Sequence, residues 1–133
     1  MITEDYVSFE TAKLLKEKGF DSNTYAYYED EDNPNISLHA SKAINWNKTE
    51  FISKPTLQMA MKWLRKVHHL EMILNFGFPH GKFTYYWSVA KVHDDHLSYP
   101  MQDPNDAEFT YERADTKEDA CEGFIKYCLK NLL

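Results

Sequence analysis

"KPTLQMAMKWLRKVHHLEMILNF", Lys54 to Phe76, changes its period in the middle. At about 100° per residue, Leu57, Ala60, Met61, Leu64, Val67 and His68 share one face, while Lys62, Arg65, Lys66 and His69 share another. That pattern predicts a helix over 55–69, buried on one side and basic on the other. Pro55 suits the first helical position, with Ser53 or Lys54 just before it. Beyond His69 the sequence alternates: Leu70, Met72, Leu74 and Phe76 point one way, Glu71, Ile73 and Asn75 the other. A period of two is the mark of a strand.

Working outward, "GFPHGK" carries the breakers Gly77, Pro79 and Gly81, and "FTYYWSVAKV" alternates again with Phe83, Tyr85, Trp87 and Val89 on one face. Two alternating runs around a Gly/Pro turn predict a long hairpin. "DDHLSYPMQDPND" reads as a loop, and "EFTYER" as a third strand with Phe109 and Tyr111 on one side. Thr116 then caps a last helix, with Asp119 in the capping-box position and a stripe of Ala120, Cys121, Phe124, Ile125, Cys128 and Leu132.

Towards the N-terminus, "VSFETAKLLKEKGF" predicts a helix. Ser8 is its N-cap, Val7 staples to Ala12, Gly19 suits the position after the C-cap, and Phe9, Ala12 and Leu15 mark the buried side. Glu10 lies near the positive end of the helix dipole, with Lys16 and Lys18 near the negative end. Thr24 to Tyr28 is rich in strand formers and pairs with Ile36 to Ala40 across the acidic turn "EDEDNPN". That turn lacks the spaced ligands and glycine of a calcium loop. "SKAINWNKTEFISK" has no clear period and reads as an irregular connection, with room for a short turn of helix. The order predicts a single α+β domain over 1–133: an antiparallel sheet of three or more strands, with about three helices packed mainly on one face.

The chain has 133 residues, enough to bury a real core. With 43% hydrophobic and 27% charged residues, wholesale disorder is not expected. Nine Tyr, eight Phe and three Trp supply an aromatic core with some half-exposed tyrosines, or a stacking surface. The net charge of −6 argues against broad electrostatic binding to nucleic acid or anionic membranes. The charge is uneven, however. Lys54, Lys62, Arg65 and Lys66 fall in a segment without carboxylates, and taking that +4 away leaves −10 on the rest. The N-terminal residues show neither the basic nor the apolar region of a signal peptide, and no apolar run approaches a membrane span, so a cytoplasmic protein is expected.

Cys121 and Cys128 are seven residues apart. On a helix that spacing separates them by about 10 Å, beyond the roughly 7 Å limit of a disulfide. Buried free thiols are expected.

"YVSFETAKLLKEKGFD", "ISKPTLQMAMKWLRKVHHLEM" and the C-terminal "DTKEDACEGFIKYCLKNLL" resemble segments of a family of small uncharacterised proteins from bacteriophages and mobile elements of gut bacteria. Ser53, Pro55, Thr56, Gln58, Ala60, Trp63, Leu64, Arg65, Val67 and His68 carry most of the likeness, which spans a little under half the chain. The resemblance implies an accessory protein acting inside a bacterial cell. It implies no catalytic residues.

The chemistry-bearing residues are sparse. His68 and His69 are adjacent, so on a helix they diverge by about 100° and do not readily chelate one metal; helical zinc pairs stand four apart. His68 reads as a boundary histidine whose cationic form would suit the helix C-terminus. "HDDH", His93 to His96, offers imidazoles and carboxylates together, and His68 or Glu71 nearby would complete a metal site. No Gly-x-Ser-x-Gly elbow and no glycine-rich phosphate loop occurs.

The sequence therefore favours a non-enzymatic accessory protein acting through contact with another protein or with itself, with no cofactor. The alternative is a nucleic-acid-associated protein using Lys62, Arg65, Lys66 and His69 with Tyr86. A small metal-assisted enzyme is the third reading.

Overall fold

The structure, a computed structural model, describes residues 5–29, 31–100 and 111–133. Among the described residues, three helices and two antiparallel sheets make an α+β fold. The first helix, α1 (Phe9–Glu17), is capped by the Ser8 side chain, which accepts from Thr11 N. Gly19 follows its C-cap at φ +89°, a conformation that only glycine adopts without strain.

The weakly patterned segment forms a sheet of its own. Strands β1 (Thr24–Tyr28) and β2 (Ser37–Ile44) pair antiparallel, and β3 (Ile52–Ser53) completes the order β2-β1-β3. The expected irregular connection is thus partly ordered: β2 runs on to Ile44, a 3-10 turn covers Trp46–Lys48, and β3 follows. β2 is exposed over much of its length, so its sequence carries no period-two burial signal.

The second helix, α2 (Leu57–His68), begins later than expected. Its N-cap is Thr56, whose side chain accepts from Met59 N, so Pro55 lies outside the helix instead of opening it. His69 is not on the helix face. It is the C-cap, at φ 59° and ψ 31°, and that left-handed turn releases the chain into β4 (Leu70–Gly77). The buried face comprises Leu57, Ala60, Trp63 and Leu64, whereas Val67, placed there from the sequence, is 53% exposed.

The hairpin stands as expected. β4 pairs with β5 (Thr84–Val92) from Leu70↔Lys91 to Gly77↔Thr84 without a slip. Two short strands add to the same sheet. β6 (Leu97–Ser98) lies inside a stretch expected to be loop. β7 (Glu112–Ala114) pairs with Tyr85 to Trp87 and lies later than the expected third strand, of which Glu108, Phe109 and Thr110 fall outside the described residues.

The last helix, α3 (Lys117–Asn131), starts at the Thr116 cap, which accepts from Asp119 N. It contacts α1, α2 and the sheet strands β4, β5 and β7. One hydrophobic cluster joins Leu15 of α1, Leu64 of α2, Trp87 and Val89 of β5, Phe124, Ile125 and Leu129 of α3, and Tyr28 and Ile52 of the smaller sheet. The helices cover the face of the hairpin sheet that carries Leu70, Met72, Leu74, Trp87 and Val89. Gly123 permits the close approach of α3: a Cβ there would stand 3.1 Å from Cζ2 of Trp87.

Candidate interaction surfaces

Burial falls away along the hairpin. Leu70, beneath α2, is 3% exposed; Met72 and Leu74 are half-buried; Phe76, on the same face, is 68% exposed. From Leu70 to Gly77 the strand travels about 24 Å, and its apolar face outruns the helices that cover it. At the tip a 3-10 turn, Pro79–Gly81, reverses the chain, with His80 at φ 53° and Gly81 at φ 78°. Gly81 N donates to Phe78 O, and Lys82 N to Pro79 O, which holds the turn tight.

This geometry gathers three phenylalanines. Phe76 and Phe83 have ring centroids 5.6 Å apart, Phe78 and Phe83 5.3 Å, and Phe83 meets Tyr85 edge-on at 5.0 Å. Phe78 is 69% exposed. Lys82 pairs with Asp115 at 3.0 Å, so that pair adds no net charge to the rim. Aromatic side chains packed on one another and yet open to water are a common feature of contact surfaces. Alternation assigned Phe76 and Phe83 to the apolar face of the hairpin, but not to its uncovered end. The available signal was three phenylalanines around a turn of the kind usually built from polar residues.

The residues singled out on α2 do not form one surface with Tyr86. Lys62, Arg65 and Lys66 are exposed on α2, and His69 is exposed at its C-cap. Arg65 is drawn to Glu71 of β4 at 3.8 Å. Tyr86 alternates with Tyr85 and Trp87, so it lies on the sheet face opposite the helices, half-buried, with the Arg113 guanidinium 5.8 Å from its ring centre. Lys62 and Lys66 instead flank a cleft of about 380 Å³ whose apolar lining is Met59, Trp63 and Val67.

His68 ends α2 with its ring edge-on to Trp63, centroids 4.8 Å apart. Its Nε2 is buried and has no hydrogen-bond partner among the described residues. Burial, with smaller contributions from His69 and Lys91, holds its pKa below the ordinary value. The ring therefore favours its neutral form: His68 ends the helix as the boundary residue expected, but it packs on an indole, and the cationic form that would suit the helix C-terminus is disfavoured.

The "HDDH" loop is closed on itself. His93 and His96 stack with centroids 4.2 Å apart. His93 Nε2 lies 2.9 Å from Ser98 Oγ, and His96 Nδ1 lies 2.6 Å from Asp95 Oδ1. Neither His68 nor Glu71 joins them: among the described residues no group of three or more His, Cys, Asp or Glu is arranged to hold a metal. Cys121 and Cys128 are free and buried, and burial pushes the Cys128 thiol up to about 12. A thiol held protonated in this way is a poor nucleophile.

Another cleft, of about 550 Å³, has committed cations. Lys13 pairs with Glu31 at 3.5 Å, and Lys16 Nζ donates to the carbonyls of Thr49 and Phe51.

No family model, curated protein or solved structure matches the chain. Its candidate surfaces therefore rest on their own geometry. Among the described residues no helix is long and apolar enough to cross a membrane.

Proposed function

We propose that the chain is a non-enzymatic binding protein that works by contact with another protein, and that the aromatic hairpin tip is its contact surface. The observation that carries this reading is the exposure of Phe76 and Phe78 while both pack on Phe83. Each phenylalanine would release about 1.5–3 kcal/mol on full burial. The complement is an apolar hollow without strong charge, because Lys82 is already paired with Asp115 at the rim. A second copy is disfavoured as the partner, since two chains of net charge −6 repel at long range.

The nucleic-acid reading has less support: Arg65 is engaged by Glu71, and Tyr86 lies on the far face of the sheet. We further read the chain as a cytoplasmic accessory protein of a bacteriophage or mobile element, on the strength of the resembling segments at 6–21, 52–72 and 115–133.

The test is a Phe76→Ser/Phe78→Ser variant. Because both side chains are exposed, stability is expected to change by under about 0.5 kcal/mol per site, while capture of the partner from bacterial host cells is lost. A variant that retains the same partner overturns the assignment of the tip. A variant that loses several kcal/mol shows the tip to be core instead.

A further inference from the structure

A second surface, independent of the hairpin tip, lies along the edge of α2, where exposed Lys62, Lys66 and Val67 border the buried Trp63. Met59, Lys62, Trp63, Lys66 and Val67 are spaced i, i+3, i+4, i+7 and i+8, one stripe about two turns and 12 Å long. Asp21 closes one side of the cleft they line. Three features set this stripe apart from an ordinary solvated helix face. It is concave, with a volume of about 380 Å³. Its floor is apolar: the Trp63 indole is held edge-on by Phe20 at 5.6 Å and by His68 at 4.8 Å, so its position is fixed, and Val67 beside it is 53% exposed. Its cations are uncommitted: among the described residues neither Lys62 nor Lys66 has an ion-pair partner, whereas Arg65 is held by Glu71, Lys82 by Asp115, and both Lys126 and Lys130 by Glu10.

We propose that this cleft receives an acidic amphipathic helix of a partner protein, with two carboxylates one turn apart pairing with Lys62 and Lys66 and an apolar side chain packing on Met59, Trp63 and Val67. The occupant follows from charge and spacing. Lys62 and Lys66 are four residues apart, which sets their stems about 6 Å from each other, the same separation as two Glu at i and i+4 on a facing helix. An apolar floor between flanking charges is the pattern of a helix-in-groove contact. A polyanion is a poorer fit. Two uncommitted lysines offer few phosphate contacts, fewer than a polyanion needs for tight binding. A basic residue at the end of the acidic helix would meet Asp21.

The probe is a fluorescein-labelled helical peptide of about three turns, with Glu at i and i+4 and Leu between them on the same face. Anisotropy titrations use the full chain, and nitrogen-15 spectra follow the Trp63 indole N–H. The expected result is saturable binding that shifts the Trp63 indole and weakens with salt. Lys62→Glu/Lys66→Glu, two exposed substitutions, is expected to weaken binding by about tenfold or more, the change that corresponds to about 1.4 kcal/mol. A Glu→Gln peptide is expected to bind as poorly. The proposal is overturned if the Gln peptide binds equally well, if the Trp63 signal does not move, or if no binding is detected. It is also overturned in favour of nucleic acid if a single-stranded oligonucleotide binds more tightly than the peptide and loses affinity in the same variant. The Phe76→Ser/Phe78→Ser variant is expected to bind the peptide normally, which separates failure here from failure at the hairpin tip.

Discussion

Thr11 Oγ1, buried at the start of α1, donates to Glu122 Oε1 of α3 at 2.5 Å. The same carboxylate oxygen accepts from Ser8 N at 3.1 Å and Ser8 Oγ at 2.5 Å. Glu122 thus captures the residues that cap α1 and docks that helix on α3. Removing it takes the charged acceptor from a buried hydroxyl and leaves that hydroxyl only Ser8 Oγ, at 3.2 Å, a loss of about 1–3 kcal/mol. Glu122→Ala is expected to lose that much in denaturant melts, and Thr11→Val/Glu122→Ala less than the sum of its single changes. Additive losses would show that the pair is not coupled.

Leu64 is fully buried between α2 and the rest of the core. Leu64→Ala is expected to cost about 2–5 kcal/mol, the transfer term plus the cavity left behind. A loss under about 0.5 kcal/mol would mean that α2 does not pack on the core through this residue.

His68 gives the fold a pH dependence of known sign. Its folded pKa lies below the ordinary value of about 6.5, because burial first, and then His69 and Lys91, disfavour the imidazolium. The unfolded chain therefore binds the proton more readily. The stability linked to His68 is complete above about pH 6.5 and falls away as pH drops from there towards the lower folded pKa. In melts across that window, His68→Gln is expected to lose stability less steeply than the parent chain on acidification. Parallel curves would remove His68 as a cause.

Cys128 is buried on α3 with its thiol pushed up to about 12 by desolvation. Alkylation by iodoacetamide is expected only when the chain unfolds, so its rate should rise with denaturant in step with the loss of structure. Rapid labelling of the native protein at neutral pH would place Cys128 at an open surface.

What could be read from the sequence divides along physical lines. The hairpin was legible because large apolar residues alternate along both strands, Leu70, Met72 and Leu74 on one and Tyr85, Trp87 and Val89 on the other, although in β5 Ser88 and Ala90 of the opposite face are buried too. The last helix was legible for the equivalent reason, although Leu129 was missed. The α2 boundary was not: Ser53, Lys54 and Thr56 all flank Pro55, and which side chain reaches a free amide depends on the backbone at Thr56. Val67 was misplaced because angular position on a helix does not reveal where the covering sheet ends. The same limit hid the tip, where Phe76 continues the apolar face of Leu70 with nothing above it. The pairing of β1 with the start of β2 was legible, but the continuation of β2 to Ile44 was not, because Ser41 and Lys42 are exposed and Ala43 and Ile44 half-buried, with no alternation between them.

The hairpin tip is tested most directly by a photo-crosslinking amino acid at Phe78, with the same group at exposed Asp94 as a control, both in bacterial host cells. The expected result is a discrete protein adduct from position 78, absent from position 94, and lost when Phe76 and Phe83 are changed to Ser in a chain that still folds. Equal adducts from both positions, or an adduct at 78 that survives the loss of Phe76 and Phe83, would contradict the assignment of the tip as the contact surface.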